Sequence, residues 1–251
     1  MPAVLKEIKQ GVAMLTLNRE EKINSINREM ALQLQQLLRE CEHDDDVKVI
    51  YLTGRGKSFC AGQDLAEASD IAIIEKILPE QLNPLISLIR TLSKPVVGAV
   101  KGVAAGAGAS LALCCDIVVA SSSATFIQAF SKIGLIPDSG VTYILPRTVG
   151  WQKATAYMML AEKVSATEAE RVGMIYKVFS DDTFDEESFK IAIALSHMPS
   201  RALALTKEAL NRSLNNSFDE QLKTEEQLQM IAGKTKDFAD RITGFLQKKT
   251  T

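Results

Sequence analysis

The stretch GKSFCAGQDL, residues 56–65, places very small side chains directly after an apolar segment, Val47–Leu52. That segment has the composition of a short buried strand. Residues Thr53–Asp64 are therefore predicted to form a glycine-rich loop at the end of the strand. Such small residues offer little to pack, and they leave main-chain N–H groups exposed. The pattern predicts that the backbone itself is the functional feature of this loop.

A second small-residue stretch, GVAAGAG at residues 102–108, connects a strand predicted at Val96–Val100 to a Leu- and Ala-rich helix. Its glycine spacing is neither that of a P-loop nor that of the dinucleotide-binding fingerprint. Taken alone, the stretch is consistent with close packing of a helix on a sheet. It also places N–H groups at a helix N-terminus, which is suited to binding an oxyanion.

A third stretch, KIGLIPDSGVTYILPRTVG at residues 132–150, carries Asp138 in a turn over Pro137–Gly140. Aspartate is common in such turns for structural reasons alone. Here it follows the apolar residues Ile133 and Leu135, and more apolar residues come after the turn. Partial desolvation would raise the pKa of the carboxyl group and would suit it to act as a base.

Around these stretches, short strands alternate with helices, which predicts an α/β architecture. The other predicted elements are a hairpin of Val4–Ile8 and Val12–Leu17 turning at Gly11, a helix capped by Asn27, helical pieces over residues 65–92 interrupted at Pro79 and Pro84, and a strand at Ile117–Ala120. From Asp185 onward only amphipathic helices are predicted, at residues 185–197, 200–214, 218–231 and 235–248. The change predicts a core over residues 1–195 and a C-terminal helical region over 196–251.

Composition limits the classes of function. The net charge of −2 gives no electrostatic footprint for nucleic acid. No apolar run reaches the ~18 residues of a membrane span, and the N-terminal segment lacks the apolar core of a signal peptide. We therefore expect a cytoplasmic protein without a nucleic-acid or membrane partner. The four cysteines lack metal or redox spacing and are expected to be reduced, both histidines are expected at the surface, and no metal site is predicted.

Together these stretches resemble the enoyl-CoA hydratase/isomerase family, also called the crotonase family. The matching segments are NREEKINSIN (18–27), SFCAGQDL (58–65), AVKGVAAGAGASLALCCD (99–116), GLIPDSGVTYILPRTVG (134–150) and TKDFADRITGFLQKK (235–249). One such motif is weak evidence, whereas these five follow the family's order over nearly the whole chain. The resemblance implies a crotonase-like spiral of ββα units with a C-terminal helical trimerisation region, assembled as a homotrimer or a dimer of trimers.

The resemblance also implies an acyl-CoA thioester as substrate, with no cofactor beyond the coenzyme A that the substrate carries. It places the two N–H donors of an oxyanion hole at Gln63 and Ala107, where they would stabilise the charge of a thioester enolate. Because these donors are main-chain groups, the two side chains are expected to be free to vary. The substrate-binding positions predicted in addition are Lys22, Asn24, Ala61, Asp64, Leu65, Phe130, Ile133 and Tyr143.

The carboxylates distinguish the reactions of this family. Its hydratases use two glutamates, and the corresponding positions here hold Ser110 and Phe130. Adding water requires one group to position the water and another to move its proton, which argues against an ordinary hydratase. Several family isomerases carry an acidic residue at the position of Asp138, and one carboxylate suffices to move a proton between C2 and C4. The surrounding Phe130, Ile133, Leu135 and Tyr143 are expected to exclude water and so to disfavour hydration.

The sequence therefore predicts an acyl-CoA isomerase with Asp138 as its acid/base, acting on a 3-enoyl chain or on a ring epoxide. Such a reaction would belong to the catabolism of fatty acids or of phenylacetate. Two alternatives stay open, namely an enoyl-CoA hydratase and a catalytically silent member that only binds acyl-CoA. Lys101 stands where the family usually has Asn, and it is expected either to be solvated or to meet a phosphate of coenzyme A.

Overall fold

A computed structural model describes residues 1–67 and 75–248 of the chain. The strands are β1 (Val4–Lys9), β2 (Val12–Leu17), β3 (Val49–Gly54), β4 (Val96–Val100), β5 (Val103–Ala105), β6 (Ile117–Ser121), β7 (Thr125–Ile127), β8 (Lys163–Ser165) and β9 (Lys177–Phe179). The α-helices are α1 (Arg28–His43), α2 (Asn83–Thr91), α3 (Ala107–Leu113), α4 (Val141–Val149), α5 (Trp151–Met159), α6 (Ala166–Arg171), α7 (Phe184–Ser196), α8 (Ser200–Ser213), α9 (Phe218–Ala232) and α10 (Lys236–Lys248). Short 3₁₀ segments lie at Glu20–Lys22 and Ala129–Ile133, and a π-helical segment lies at Ile77–Leu82.

Six strands form the main sheet in the order β1-β2-β3-β4-β6-β9, and β5-β7-β8 form a second, smaller sheet. The predicted hairpin of β1 and β2 is confirmed, and β2, β3, β4, β6 and β9 pair in parallel. Parallel strands are covered on both faces, which explains why β3 and β4 are buried at every residue. The strand predicted at Val47–Leu52 occurs two residues later, as β3.

The two faces of β3 enter two different cores because successive side chains of a strand point to opposite sides. Ile50 and Leu52 belong to the larger core, which includes buried residues of α1, α2 and α3. Val49 and Tyr51 belong to the smaller core, which includes Phe184 of α7. Packing on both sides gives the loop that follows β3 a rigid support.

The helix predicted after Asn27 is confirmed as α1. The side-chain oxygen of Asn27 accepts a hydrogen bond from the Met30 nitrogen at 2.9 Å, which is the geometry of an N-cap. Of the predicted helical stretch 65–92, residues 68–74 lie outside the described residues. Pro79 falls in the π-helical segment, and Pro84 falls in the first turn of α2, where its missing N–H costs nothing.

The four C-terminal helices occur where the amphipathic pattern predicts them, as α7 to α10. α7 packs on the main sheet, and α8 is anchored to it through the buried Lys207. The Lys207 Nζ donates to Asp116 Oδ2 and to the Ile89 carbonyl, both at 2.7 Å. The division at residues 195 and 196, and the trimerisation role of the region beyond it, stay predictions.

The four cysteines are buried and unpaired, and burial raises the pKa of the Cys60 thiol to about 12. His43 and His197 are exposed, as predicted. Within residues 1–67 and 75–248, no helix combines the length and the apolar character needed to cross a bilayer. Over the same residues, no cluster of three or more His, Cys, Asp or Glu side chains could hold a metal ion.

Candidate active site

The loop after β3 holds Gln63 in a short parallel bridge to Ile26. The Ile26 nitrogen donates to the Gly62 carbonyl at 2.7 Å, and the Asp64 nitrogen donates to the Ile26 carbonyl at 2.8 Å. The bridge thus uses the residues on either side of Gln63, since alternate N–H groups of an extended chain point to opposite sides. The Gln63 N–H points away from Ile26, and no described residue accepts it.

The second predicted donor, Ala107, is the first residue of α3. The first N–H groups of a helix have no acceptor within the helix itself. The neighbouring Gly106 N–H donates to the Ile127 carbonyl at 2.8 Å, and the Ser110 N–H donates to the Gly106 carbonyl at 3.0 Å. Within the described part of the chain, the Ala107 N–H has no such partner, so it is available to a ligand.

The backbones carrying these two donors are in direct contact. Gly62 has φ of +103°, and a Cβ there would lie 2.8 Å from the Ala105 carbonyl oxygen and 3.5 Å from the Ala107 nitrogen. A Cβ at Gly108 would lie 2.4 Å from the Cys60 carbonyl oxygen. The two glycines are required because the main chains approach too closely for a side chain. The structure therefore brings the Gln63 and Ala107 segments together, as the resemblance implies.

Asn24 belongs to the support of this loop, and this corrects its predicted contact with substrate. Its side chain is fully buried, and both of its amide hydrogens are used within the protein. The Asn24 Nδ2 donates to the carbonyls of Arg55 and Ser58, both at 2.9 Å, and Oδ1 accepts from the Arg19 nitrogen at 3.0 Å. Asn24 thus holds both ends of the turn that leads into the loop.

Asp64 also supports the loop. Its Oδ2 lies 2.9 Å from Arg19 Nη2, and this hydrogen bond holds the pKa of the Asp64 carboxyl below its usual range. Ala61 is fixed through its nitrogen, which donates to the Ile23 carbonyl at 3.0 Å. Lys22 and Leu65 are exposed at the edge of the loop, and their predicted contacts with substrate stay predictions.

Asp138 lies in the turn before α4 and is partly buried. Burial raises the pKa of its carboxyl above the ordinary value, and the hydrogen bond from the Ser139 hydroxyl, at 2.8 Å, opposes that change. Among the described Asp and Glu side chains, it is the one whose pKa is raised. A carboxyl group whose pKa is raised by burial is a stronger base when ionised, which suits it to accepting and returning a proton.

The segment that carries Asp138 is anchored to the same helix, α3, that provides one of the N–H donors. At its start, Phe130 is buried, and its ring lies 4.0 Å from where a Cβ on Gly106 would be. At its end, the Cys114 thiol donates to the Ser139 carbonyl at 3.4 Å. Phe130 is thereby placed beside the donors, and the turn with Asp138 is fixed against the C-terminal end of α3.

The expected apolar shield around Asp138 is absent from the described part of this single chain. Ile133 and Leu135 are 52% and 49% exposed. Ile133 ends the 3₁₀ segment and Leu135 lies on the exposed loop after it, so the expectation that these two residues exclude water is wrong for the isolated chain. Asp138 itself is partly buried.

Tyr143 is not grouped with the two N–H donors. Its hydroxyl donates to Asn215 Oδ1 at 3.3 Å, and the Arg147 guanidinium lies 3.7 Å from the centre of its ring. It borders a separate cavity of about 380 Å³ together with Arg90 and Asp116. These contacts link α4 to the chain after α8, and the predicted contact of Tyr143 with substrate has no support in them.

Two further residues singled out by the sequence are held by protein contacts. Lys101 Nζ lies 2.9 Å from Asp185 Oδ1 in α7, an ion pair whose Asp185 side chain is 77% exposed, and a contact of Lys101 with a phosphate of coenzyme A stays a prediction. Ser110 is buried, and its hydroxyl donates to the Gly106 carbonyl at 3.3 Å. Neither residue offers a carboxylate or a base to a reaction.

Sequence reasoning missed the side chain of Gln63. Its carboxamide oxygen and nitrogen are both buried and have no hydrogen-bond partner. The expectation that this side chain is free to vary stays a prediction, and an unpartnered buried amide is costly to the fold. Nothing in the motif marks it, since the motif is defined by the backbone at this position.

Two main-chain N–H groups in neighbouring segments have no acceptor among the described residues, and a partly buried carboxyl group lies on a turn packed against the helix that carries one of them. The family profile described as enoyl-CoA hydratase/isomerase matches residues 7–251. The chain belongs to this family, the crotonase family, whose members act on acyl-CoA thioesters. This confirms the predicted fold class and the predicted class of substrate.

Related proteins carry both isomerase and hydratase names. The chain is 42% identical to 1,2-epoxyphenylacetyl-CoA isomerase of Escherichia coli K12, over all of this chain and 97% of that protein. It is 41% identical to a protein of Rhodobacter capsulatus named "Probable enoyl-CoA hydratase", over 97% of this chain and 94% of that one. The crystal structure of an enoyl-CoA hydratase from Polaromonas sp. JS666 matches with a TM-score of 0.92 at 31% identity, covering 98% of this chain and 97% of that one.

Proposed function

We propose that this protein is an acyl-CoA isomerase that stabilises a thioester enolate and moves a proton with one aspartate. The observation that carries the proposal is Asp138, the one carboxyl group of raised pKa among residues 1–67 and 75–248, in a candidate site whose hydratase positions hold Ser110 and Phe130. The likeness to 1,2-epoxyphenylacetyl-CoA isomerase supports the same class of reaction. The substrate would be a ring epoxide or a 3-enoyl chain attached to coenzyme A.

With a 3-enoyl chain, the reaction begins when the Asp138 carboxylate removes a proton from C2, the carbon next to the thioester; in the reverse direction it removes a proton from C4 of the 2-enoyl chain. The electron pair moves onto the thioester oxygen, which lies between the N–H groups of Gln63 and Ala107. One such donor is typically worth about 2.7–4 kcal/mol of transition-state stabilisation. Protonated Asp138 then returns the proton at the other carbon. Electrons and protons stay within the substrate and Asp138, so the proposed step needs no cofactor beyond coenzyme A.

Hydration is the second candidate, and the names of several relatives favour it. Among these is 2,3-dehydroadipyl-CoA hydratase of Escherichia coli K12, which is 33% identical over all of this chain and 98% of that protein. Against hydration, Ser110 is buried with its hydroxyl bound to a carbonyl, and Phe130 offers no polar group. An Asp138 acting alone would have to both position the water and transfer its proton.

The deciding experiment follows deuterium. Purified protein is incubated with a 3-enoyl-CoA in D₂O, and mass spectrometry and NMR locate the deuterium in the product. Wild type is expected to form the 2-enoyl-CoA with deuterium at C2 or C4, and Asp138→Asn is expected to lose about 10²- to 10⁴-fold in rate. A 3-hydroxyacyl-CoA as the main product would establish the hydratase, and binding without exchange would establish a silent acyl-CoA-binding member.

The acyl group is best approached with two substrate series. Straight-chain 3-enoyl-CoAs of increasing length are compared with acyl-CoAs that carry a ring next to the thioester arm. A higher kcat/KM for the ring series supports the epoxide substrate, and a higher value for the straight chains supports fatty-acid catabolism. Each series reports kcat and KM separately, so that a poor fit is distinguished from slow chemistry.

We also propose that the protein assembles as a homotrimer or as a dimer of trimers through its C-terminal helices. In the single chain, Phe238 and Ile242 of α10 are 51% and 43% exposed at a spacing of one helical turn. Apolar side chains in this arrangement favour burial against another surface. Analytical ultracentrifugation is expected to give the mass of three or six chains, and a monomer at micromolar concentration would contradict the proposal.

A further inference from the structure

Gln63 and Asn24 are both buried carboxamides within the same part of the fold, and they differ sharply in their partners. Asn24 makes three hydrogen bonds to main-chain groups. In Gln63, neither the Oε1 nor the Nε2 has a partner, and both atoms are closed off from solvent. Asn24 thus stabilises the fold, whereas the Gln63 amide is buried without a hydrogen bond to the protein.

The position of Gln63 relates this amide to the catalytic site. Its own N–H is one of the two proposed oxyanion donors, so its side chain starts at the thioester end of the site. Successive side chains of an extended segment point to opposite faces. Since the Asp64 side chain is turned to Arg19, that of Gln63 lies on the face opposite this ion pair.

We propose that the Gln63 carboxamide is a specificity-determining group that hydrogen-bonds an oxygen atom on the acyl part of the substrate, close to the thioester. This inference rests on the proposed function, because it assumes that the acyl group extends from the oxyanion hole into the site. The Nε2 donates to an ether, epoxide or hydroxyl oxygen of the acyl group. The Oε1 accepts from a hydroxyl group or from a water molecule that enters with the substrate.

The chemistry explains how one side chain would select among acyl-CoAs. An acyl group with an oxygen near the thioester satisfies an amide that is otherwise buried without a partner. A hydrocarbon acyl group of the same shape leaves the amide unpartnered and adds further desolvation. Sites built to hydrogen-bond a substrate group reject analogues that lack it for this reason.

Two unreactive ligands of matched shape test the inference. Oxan-2-ylacetyl-CoA and cyclohexylacetyl-CoA differ by one ring oxygen, which is bonded to the ring carbon that bears the thioester arm. Calorimetric titration of wild type is expected to give about five- to tenfold tighter binding of the oxygen-containing ligand, as one hydrogen bond provides. In Gln63→Met, which keeps the length and the main-chain donor, the two dissociation constants are expected to be equal within twofold.

Equal binding of the two ligands by wild type would overturn the inference, and so would an unchanged preference in Gln63→Met. Thermal unfolding of the free protein provides the second measurement. A side chain that serves the fold would lower the midpoint when replaced, whereas here Gln63→Met is expected to raise it or leave it unchanged. A lowered midpoint together with an unchanged preference would therefore assign Gln63 to the fold.

The outcome is independent of catalysis, because neither ligand carries a double bond or an epoxide. If no deuterium is incorporated and wild type still prefers the oxygen-containing ligand, the isomerase activity is rejected and the role of Gln63 in binding is supported. If exchange occurs and the preference is absent, the isomerase stands and the role of Gln63 is rejected.

Discussion

The two sides of the candidate active site present different chemical groups, main-chain N–H groups on one side and a side-chain carboxyl on the other. On one side, the loop at residues 56–65 and the segment at 102–108 present main-chain N–H groups, and their conformation is fixed by close contact and by buried hydrogen bonds. On the other side, the turn at residues 134–140 presents one side chain, and most of that turn is exposed. The main-chain side is held rigidly, and its function does not depend on which side chains it carries. The turn is exposed to solvent, and its function depends on one particular side chain.

The difference shows where a family of this kind can change its chemistry. Main-chain donors stabilise any thioester enolate and do not depend on the identity of the residues that carry them. In the proposed mechanism the carboxyl group of Asp138 decides what happens to the proton, and it lies on a turn that is more exposed than the loop. We therefore expect changes on the main-chain side to abolish activity and changes on the turn to redirect or tune it.

The largest effect is expected at Gly62. A Cβ added there lies 2.8 Å from the Ala105 carbonyl oxygen at a φ of +103°, so Gly62→Ala must displace the loop that positions the Gln63 donor. The kcat of isomerisation is expected to fall by about 10²- to 10³-fold, as on removing an oxyanion donor. Steady-state kinetics with a 3-enoyl-CoA measure this loss.

Gly134 provides the matched control on the other side. It also has a positive φ, of +77°, but an added Cβ meets nothing within 4 Å. Gly134→Ala is expected to cost only the strain of the backbone, about 1 kcal/mol of unfolding free energy, with kcat within a few-fold of wild type. Similar losses of activity in the two variants would contradict the distinction between a crowded side and an open side.

The next effect is on stability. Asn24→Ala removes three hydrogen bonds, two of them to the carbonyls of Arg55 and Ser58. Unfolding in urea is expected to show a loss of about 3 kcal/mol, because each hydrogen bond contributes about 1 kcal/mol net. The exposed Asn215 is the control, since Asn215→Ala is expected to change the free energy of unfolding by about 0.5 kcal/mol or less. A loss confined to substrate affinity in Asn24→Ala would restore its predicted contact with substrate.

A smaller and graded effect is expected from pH. Burial raises the pKa of Asp138 above its ordinary value of 3.8, and the base form of this group is the one that removes the first proton. The kcat/KM is expected to fall about tenfold per pH unit below the raised pKa, with a midpoint above 3.8. The phosphates of coenzyme A titrate near pH 6. The profile is therefore measured with a phosphate-free N-acetylcysteamine thioester, and an acid limb in Asp138→Asn would contradict the assignment.

The main-chain side was the easier one to predict from sequence. Its glycines and its order of strand, loop and helix are local features, and the resemblance over five motifs placed Gln63 and Ala107 correctly beside each other. The roles of Asn24 and Lys101 depend on partners far along the chain, Ser58 and Asp185, which no motif specifies. The Gln63 amide is notable because it lacks hydrogen bonds, and a sequence pattern cannot predict that a buried group has no partner.

The smallest effect concerns the stability contributed by Asp138 itself. A carboxyl whose folded-state pKa is raised destabilises the fold above that pKa, where it is ionised, and the penalty disappears as the pH falls through the unfolded value. Asp138→Asn removes the charge and keeps an acceptor for the Ser139 hydroxyl, so the free protein is expected to gain about 0.5 kcal/mol at pH 7. The gain should shrink as the pH falls and vanish well below 3.8, because the Asp138 carboxyl is then neutral in both the folded and the unfolded protein. A variant that is inactive, more stable at pH 7 and equal to wild type well below pH 3.8 would show that the turn retains its aspartate for chemistry at the expense of the fold. A loss of stability at both pH values would instead make Asp138 a structural turn residue and favour the silent, acyl-CoA-binding alternative.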